Sequence, residues 1–209
     1  MADQNVSSRD DRPRPRNISR AESLHLEGYK HACHVLLHAP TPAKLFDRVP
    51  IRHVLLMMMR FDGRFGFPGG FVDTRDMSLE SGLCRELLEE LGPAISTVDI
   101  TEKDYRSSQV REHPQKCVTH FYTKELKLDD LERVELESGL AKDHGLEVMG
   151  LVRVPLYTLR DGVGGLPAFL CNNFIGNSKS QLLYALRTLR LLREDQIQEA
   201  IRASQNIQY

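Results

Sequence analysis

Apolar residues recur along this chain at two periods, and the change from one to the other marks out its elements. YKHACHVLLHA (29–39) mixes small and apolar residues as a strand does, and IRHVLLMMMRF (51–61) is apolar through its middle, as a strand covered on both faces would be. KCVTHFYTKEL (116–126) alternates, and GLEVMGLVRVPL (145–156) reads as a further strand. The helical period takes over at residues 78–91, where Leu79, Leu83, Leu87, Leu88 and Leu91 supply an apolar stripe. Asp76 or Ser78 is the N-cap of that helix, and Glu80 suits its positive end. Gly92 fits the left-handed position after its last turn, and Pro93 blocks continuation. LDDLERVELESGL (128–140) predicts a polar amphipathic helix, SKSQLLYALRTLRLL (178–192) a leucine-faced one and EDQIQEAIRAS (194–204) a short charged one. DGRFGFPGG (62–70) and VGGLPAF (163–169) read as a turn and a loop. Strands and helices intersperse without strict alternation, so the expectation is an α/β fold of mixed layers.

At 209 residues the chain suits one domain with additions. Residues 1–22 read as a disordered basic tail, since RDDRPRPRNISR has five arginines, two prolines and little to bury; residues 23–209 then form the domain. The net charge of -1 gives no general pull toward nucleic acid, so such binding needs a local basic patch. The four cysteines are scattered and unpaired in spacing, which reads as reduced thiols inside a cell. No membrane span is expected, because the apolar run VLLMMM is far too short. HACH (31–34) lacks a second Cys/His pair at zinc-site spacing.

RELLEELG (85–92) is the chemical puzzle. On a helix Glu86, Glu89 and Glu90 stand at i, i+3 and i+4, where like charges repel by a few tenths of a kcal/mol per pair. The plain reading is a solvated helix face. The Pro68-Gly69-Gly70 turn just upstream shifts the balance, because glycines admit close backbone approach. Carboxylates gathered beside open backbone are hard oxygen ligands suited to Mg²⁺ or Mn²⁺, and a divalent cation would relieve their repulsion.

GGFVDTRDMSLESGLCRELLEELG (69–92) resembles the Nudix box of the Nudix hydrolases. Its second half matches at Arg85, Glu86, Leu87, Glu89, Glu90 and Gly92. The first half departs: fourteen residues separate Gly70 from Arg85, one more than the pattern has, and the usual upstream glutamate falls on Asp76 or Met77. HACHVLLHAP, RFDGRFGFPGGFVDT, DYRSSQV, AKDHGLEVMGLVRVPLYTLRDGVGGLP and NNFIGNS extend the likeness to the U8 snoRNA-decapping branch of that family, from about Tyr29 to Leu192.

The resemblance implies a Nudix fold, a mixed β-sheet between α-helices, and a hydrolase of phosphoanhydride bonds using Mg²⁺ or Mn²⁺, with Co²⁺ as a further candidate. It implies metal contacts from Gly69, Glu86, Glu89, Glu90 and Glu147, with Glu89, Glu90 and Glu147 catalytic, and a structural role for Gly70, Gly92 and Arg85. His34 and Phe67 would sandwich a purine, Arg60 reach phosphate and Gln181 touch substrate. Plainer readings stand beside these: alternation for His34, core for Phe67, surface for Arg60, an exposed strand face for Glu147 and a capping box from Ser178 for Gln181. His120 reads as a structural histidine, and Gln109 is not counted as a ligand. Substrates implied are capped RNA (U8 snoRNA, with mRNA as an extension) or purine nucleotides such as inosine diphosphate. A homodimer in the nucleus and nucleolus, with cytoplasm as a second location, completes the expectation. A domain that binds RNA or protein without catalysis is the rival from another class.

Overall fold

The structure, a computed structural model, describes residues 15–207. Its described strands are β1 (Arg16–Ile18), β2 (Lys30–Leu45), β3 (Val49–Arg60), β4 (Phe65–Gly66), β5 (Gly69–Phe71), β6 (Tyr105–Arg111), β7 (Cys117–Glu125) and β8 (Val148–Arg153). The α-helices are α1 (Arg20–Leu24), α2 (Leu79–Leu91), α3 (Leu128–Glu137), α4 (Leu166–Phe169), α5 (Ser178–Thr188) and α6 (Glu194–Gln205). The strands form one mixed sheet in the order β1-β6-β7-β2-β3-β4, with β5 joined to β2 and β8 to β3. β2 and β7 run parallel, from Lys30 beside Cys117 to His38 beside Glu125, and the other pairs are antiparallel.

β2 is the branch point of this sheet. Its first part, Ala32–His34, pairs with β5, whereas from His38 onward it pairs with β3. The far end of β3 pairs with β8 and β4 instead. Two strands that part in this way leave a cleft between them, and the Pro-Gly-Gly turn enters β5 at its edge.

Alternation along β2 and β7 divides the core into two layers. Cys33, Val35, Leu37 and Tyr122 meet Leu79, Leu83, Leu87 and Leu91 of α2 and Val134 of α3. Leu36, Leu55, Met57 and Phe121 meet Leu166, Leu170, Leu182, Leu186 and Ile197 on the other side. The expected sheet between helices is therefore the observed architecture.

Several local expectations need correction. The part of the expected tail within 1–14 lies outside the described residues, but Arg16–Leu24 is ordered secondary structure. β1 pairs with β6, Ser19 caps α1 through a capping box, and Arg20 reaches Glu80 at 2.8 Å. Leu88 leaves the apolar stripe and is 48% exposed, since it falls on the flank of α2 away from the sheet. VGGLPAF contains the one-turn α4, entered from Gly165 with proline at its start. Asn177, not Ser178, is the N-cap of α5, so the capping box expected from Ser178 does not form. β6, carried by the polar YRSSQVR, was not anticipated from periodicity.

Candidate active site

Ser78 caps α2 and shares a capping box with Ser81. Asp76 has other work: its carboxylate accepts from Arg85 Nε at 3.2 Å and Nη2 at 2.9 Å, and from the Asp73 N–H at 2.7 Å. Asp76 therefore braces the loop, and Met77, 97% exposed, is the residue that loops out. Arg85 also donates to the Phe71 carbonyl at 2.9 Å and to Glu86 Oε1 at 2.7 Å. One guanidinium thus ties the loop, β5 and the first acid together, a geometry that needs the rigid fork of arginine.

The acids then diverge in their surroundings. Glu90 is 5% exposed, and its Oε2 accepts the Gly69 N–H at 2.7 Å. Burial is the main reason its carboxyl is pushed up to about 8, against the lowering effect of that hydrogen bond and with Glu86 adding to the rise. Glu86, one turn earlier, lies over Gly70: a Cβ there would stand 2.3 Å from Glu86 Oε2. Gly69 is equally constrained, with φ +124 and the Cys33 carbonyl 2.1 Å from where its Cβ would be. Glu89 pairs with Lys142 and lies 3.9 Å from Arg85 Nη1, the nitrogen that bonds Glu86. Gly92 closes the helix at φ 82, where its own Cβ would crowd the Glu137 carbonyl.

Glu147 sits in the turn before β8 instead of on a strand face. Its carbonyl accepts the Phe61 N–H at 2.9 Å, and its side chain is exposed. That bond places it beside the end of β3, next to Arg60. Arg60 Nε is buried without a hydrogen-bond partner, with Asp62 Oδ1 at 3.5 Å. His34, on β2 opposite Gly69, is pulled down to about 4 by burial first and by the Arg60 charge second. Phe67 does not flank it as an open platform: it is 1% exposed and packs on Phe121 at 5.2 Å between centroids. The β4–β5 turn folds that ring inward, so core is its place and the expected sandwich is absent. Gln181 is 6% exposed in the second turn of α5.

His120 is buried and neutral, pulled down to about 3 mainly by burial. Its Nε2 lies 2.9 Å from His31 Nδ1, its Nδ1 2.8 Å from Ser108 Oγ, and that hydroxyl 2.7 Å from Tyr105. The structural reading of His120 is the one this chain of bonds supports. Gln109 links elements instead of facing the acids, with hydrogen bonds to Asn17 and Asn177. Asn177 and Tyr105 are polar participants that sequence reasoning passed over; their only signal was position in an otherwise polar edge.

Among the described residues, no three carboxylate, histidine or cysteine side chains converge as a ready cation cage. The donor set still suits an oxygen-seeking divalent ion that retains waters and takes one or two carboxylates. Glu86 and Glu90 flank a backbone turn that no side chain can fill, and buried Glu90 has a single donor to offset its charge.

With this geometry in place, kinship decides between a helix with acids and a functional site. The family description "Nudt16-like: U8 snoRNA-decapping enzyme-like" matches residues 31–192. The chain belongs to that family of Nudix proteins. It is 81% identical over 202 residues to the U8 snoRNA-decapping enzyme of Xenopus laevis, covering 97% of this chain and 95% of that protein. It is also 48% identical over 193 residues to the Tudor-interacting repair regulator protein of Homo sapiens, covering 92% and 90%. A MutT/nudix family protein from Enterococcus faecalis shares the fold at TM-score 0.51 and 16% identity, over 88% of this chain and 75% of that one.

Proposed function

We propose that this protein is a metal-dependent decapping hydrolase. It cleaves the phosphoanhydride bridge of the 5′ cap on U8 snoRNA and other capped RNAs, releasing a capped nucleoside diphosphate and RNA with a 5′-monophosphate. The observation that carries the reading is the placing of Glu86 and Glu90 on either side of the Gly69–Gly70 turn, in a chain so close to a named decapping enzyme. Mg²⁺ or Mn²⁺ held there would neutralise phosphate oxygens and make water a better nucleophile.

The chain's own residues supply the rest. Arg85 holds Glu86 and the loop in position, and the Gly69 N–H orients Glu90. Arg60, whose Nε pairs with Asp62 at 3.5 Å, would reach phosphate through its guanidinium, and neutral His34 would meet the purine. Glu147, exposed in the turn before β8, would take a proton from the attacking water. Homodimerisation and a nucleolar location would accompany this substrate.

Product analysis on cap-labelled RNA, with and without Mg²⁺ or Mn²⁺, tests the proposal. The expected result is metal-dependent release of the capped diphosphate. Turnover of inosine diphosphate with untouched capped RNA would move the substrate to free nucleotides. RNA binding with no hydrolysis of either would make this a binding module.

A further inference from the structure

His38 Nδ1, His53 Nδ1 and Thr123 Oγ1 are buried atoms without a hydrogen-bond partner among the described residues, and all three belong to residues lining one hollow of about 310 Å³. The pairing of the sheet gathers them. β7 sets Glu125 beside His38, with Thr123 two residues earlier on the same face, and β3 sets His53 opposite Pro40, two residues beyond His38. Leu189, from the turn between α5 and α6, walls the hollow from above. His38 is 3% exposed and Thr123 2%, so neither is freely served by bulk water. One buried polar atom left unpaired is costly, and three around one space ask for a common cause.

The chemistry of the lining narrows that cause. Burial is the main reason both imidazoles are pulled below their ordinary value, and the neutral ring is the form that binds metal. Two imidazoles sharing one ion, each with a nitrogen about 2.0–2.1 Å from it, have centroids about 5–6 Å apart; these two stand at 6.1 Å. Two ligand atoms on one such ion are separated by at most about 4.2 Å, and Glu125 Oε2 is 4.0 Å from His38 Nδ1. The set is thus slightly open as it stands, and Glu125, whose side chain is 66% exposed, has the freedom to close it. An anion is less well served. Lys124 is taken by Asp104 at 3.1 Å, and Glu125 offsets Arg106, so the lining brings no net positive charge. His38 lies four residues, about 13 Å, along β2 from His34, which separates this hollow from the acids beside Gly69.

We propose that the hollow is a site for a borderline transition-metal ion such as Zn²⁺, bound by the imidazoles of His38 and His53 and the carboxylate of Glu125, with Thr123 holding a water on the ion. Such an ion ties β2, β3 and β7 together beneath the α5–α6 turn and takes no part in hydrolysis. The site stands whether or not the substrate is capped RNA.

Zn²⁺ titration of the full-length, untagged protein against a chromophoric chelator tests it. The background carries Glu86→Gln and Glu90→Gln, which removes the other carboxylates that would compete. One equivalent is expected to bind, and the thermal midpoint to rise with Zn²⁺ concentration. Adding His53→Phe, which keeps a ring in place, should abolish both effects. Glu125→Gln should weaken binding by more than about 10-fold, since even partners outside the ligand shell are worth that much. Should His53→Phe fold poorly, Glu125→Gln at its exposed position carries the comparison. Absence of a bound equivalent in the background protein overturns the site, as does an equivalent that survives both substitutions. Saturable binding of inorganic phosphate in place of Zn²⁺, lost in Arg106→Ala, also overturns it by giving the hollow to an anion.

Discussion

His31 and His34 stand three residues apart on β2 and so leave the strand on opposite faces. Toward α2, His31 joins His120, Ser108 and Tyr105 in a chain of hydrogen bonds at 2.9, 2.8 and 2.7 Å. On the other face, the His34 imidazole has no hydrogen-bond partner among the described residues and lies near Arg60, whose Nε also lacks a hydrogen bond and has only the Asp62 carboxylate at 3.5 Å. Both imidazoles are held neutral by burial, so charge does not distinguish them. Satisfaction does. A satisfied polar group specifies the fold, whereas an unsatisfied one keeps its bonding capacity for something that arrives later.

Glu90→Gln should test the acids beside the Gly69 turn most severely. It keeps an acceptor for the Gly69 N–H but removes the carboxylate, and hydrolysis is expected to fall about 10³-fold with no drop in Tm. A parallel loss of Tm would assign Glu90 to the structural side. Arg85→Lys should come next, at about 10- to 100-fold in activity or metal affinity, because an ammonium cannot span Asp76, Glu86 and the Phe71 carbonyl at once. Unaltered Mg²⁺ titration curves would remove Arg85 from its positioning role.

On the satisfied side, His120→Leu is expected to cost about 2 kcal/mol in urea unfolding and to leave the Michaelis constant alone. The same side has a pH signature. His120, near 3, sits below the unfolded value of about 6.5. The unfolded chain therefore binds more protons as pH falls, so stability is full above about 6.5 and declines steadily toward 4, by roughly 2 kcal/mol at pH 5. A flat urea midpoint between pH 7.5 and 5 would show this imidazole to be exposed. Smallest of all, His34→Ala should raise the Michaelis constant about 10-fold for a stacked purine with Tm held within a degree or two.

The helix with the acids was legible because every signal coincided: leucine spacing, a serine cap, and glycine then proline at its end. β6 was not, since YRSSQVR offers one β-branched residue and owes its place to pairing with β7 and β1. β1 was lost in a basic, proline-bearing stretch for the same reason. Phe67 illustrates the limit for sites. FGFPGG reads as a turn presenting an aromatic, but pairing of β4 with β3 and of β5 with β2 rolls the ring onto Phe121. Which acid turns toward Lys142 and which toward Gly69 is a matter of tertiary neighbours, so Glu89 and Glu90 were indistinguishable on paper.

Met77 carries a different lesson. Its neighbours are fastened on both sides, Asp76 to Arg85 and Ser78 to Ser81, while Met77 itself hangs in water. Slack located between two firm knots can lengthen or shorten over generations without disturbing what the knots hold. In such a segment ancestry is written in which residues touch, and the tally of positions between them is free to wander.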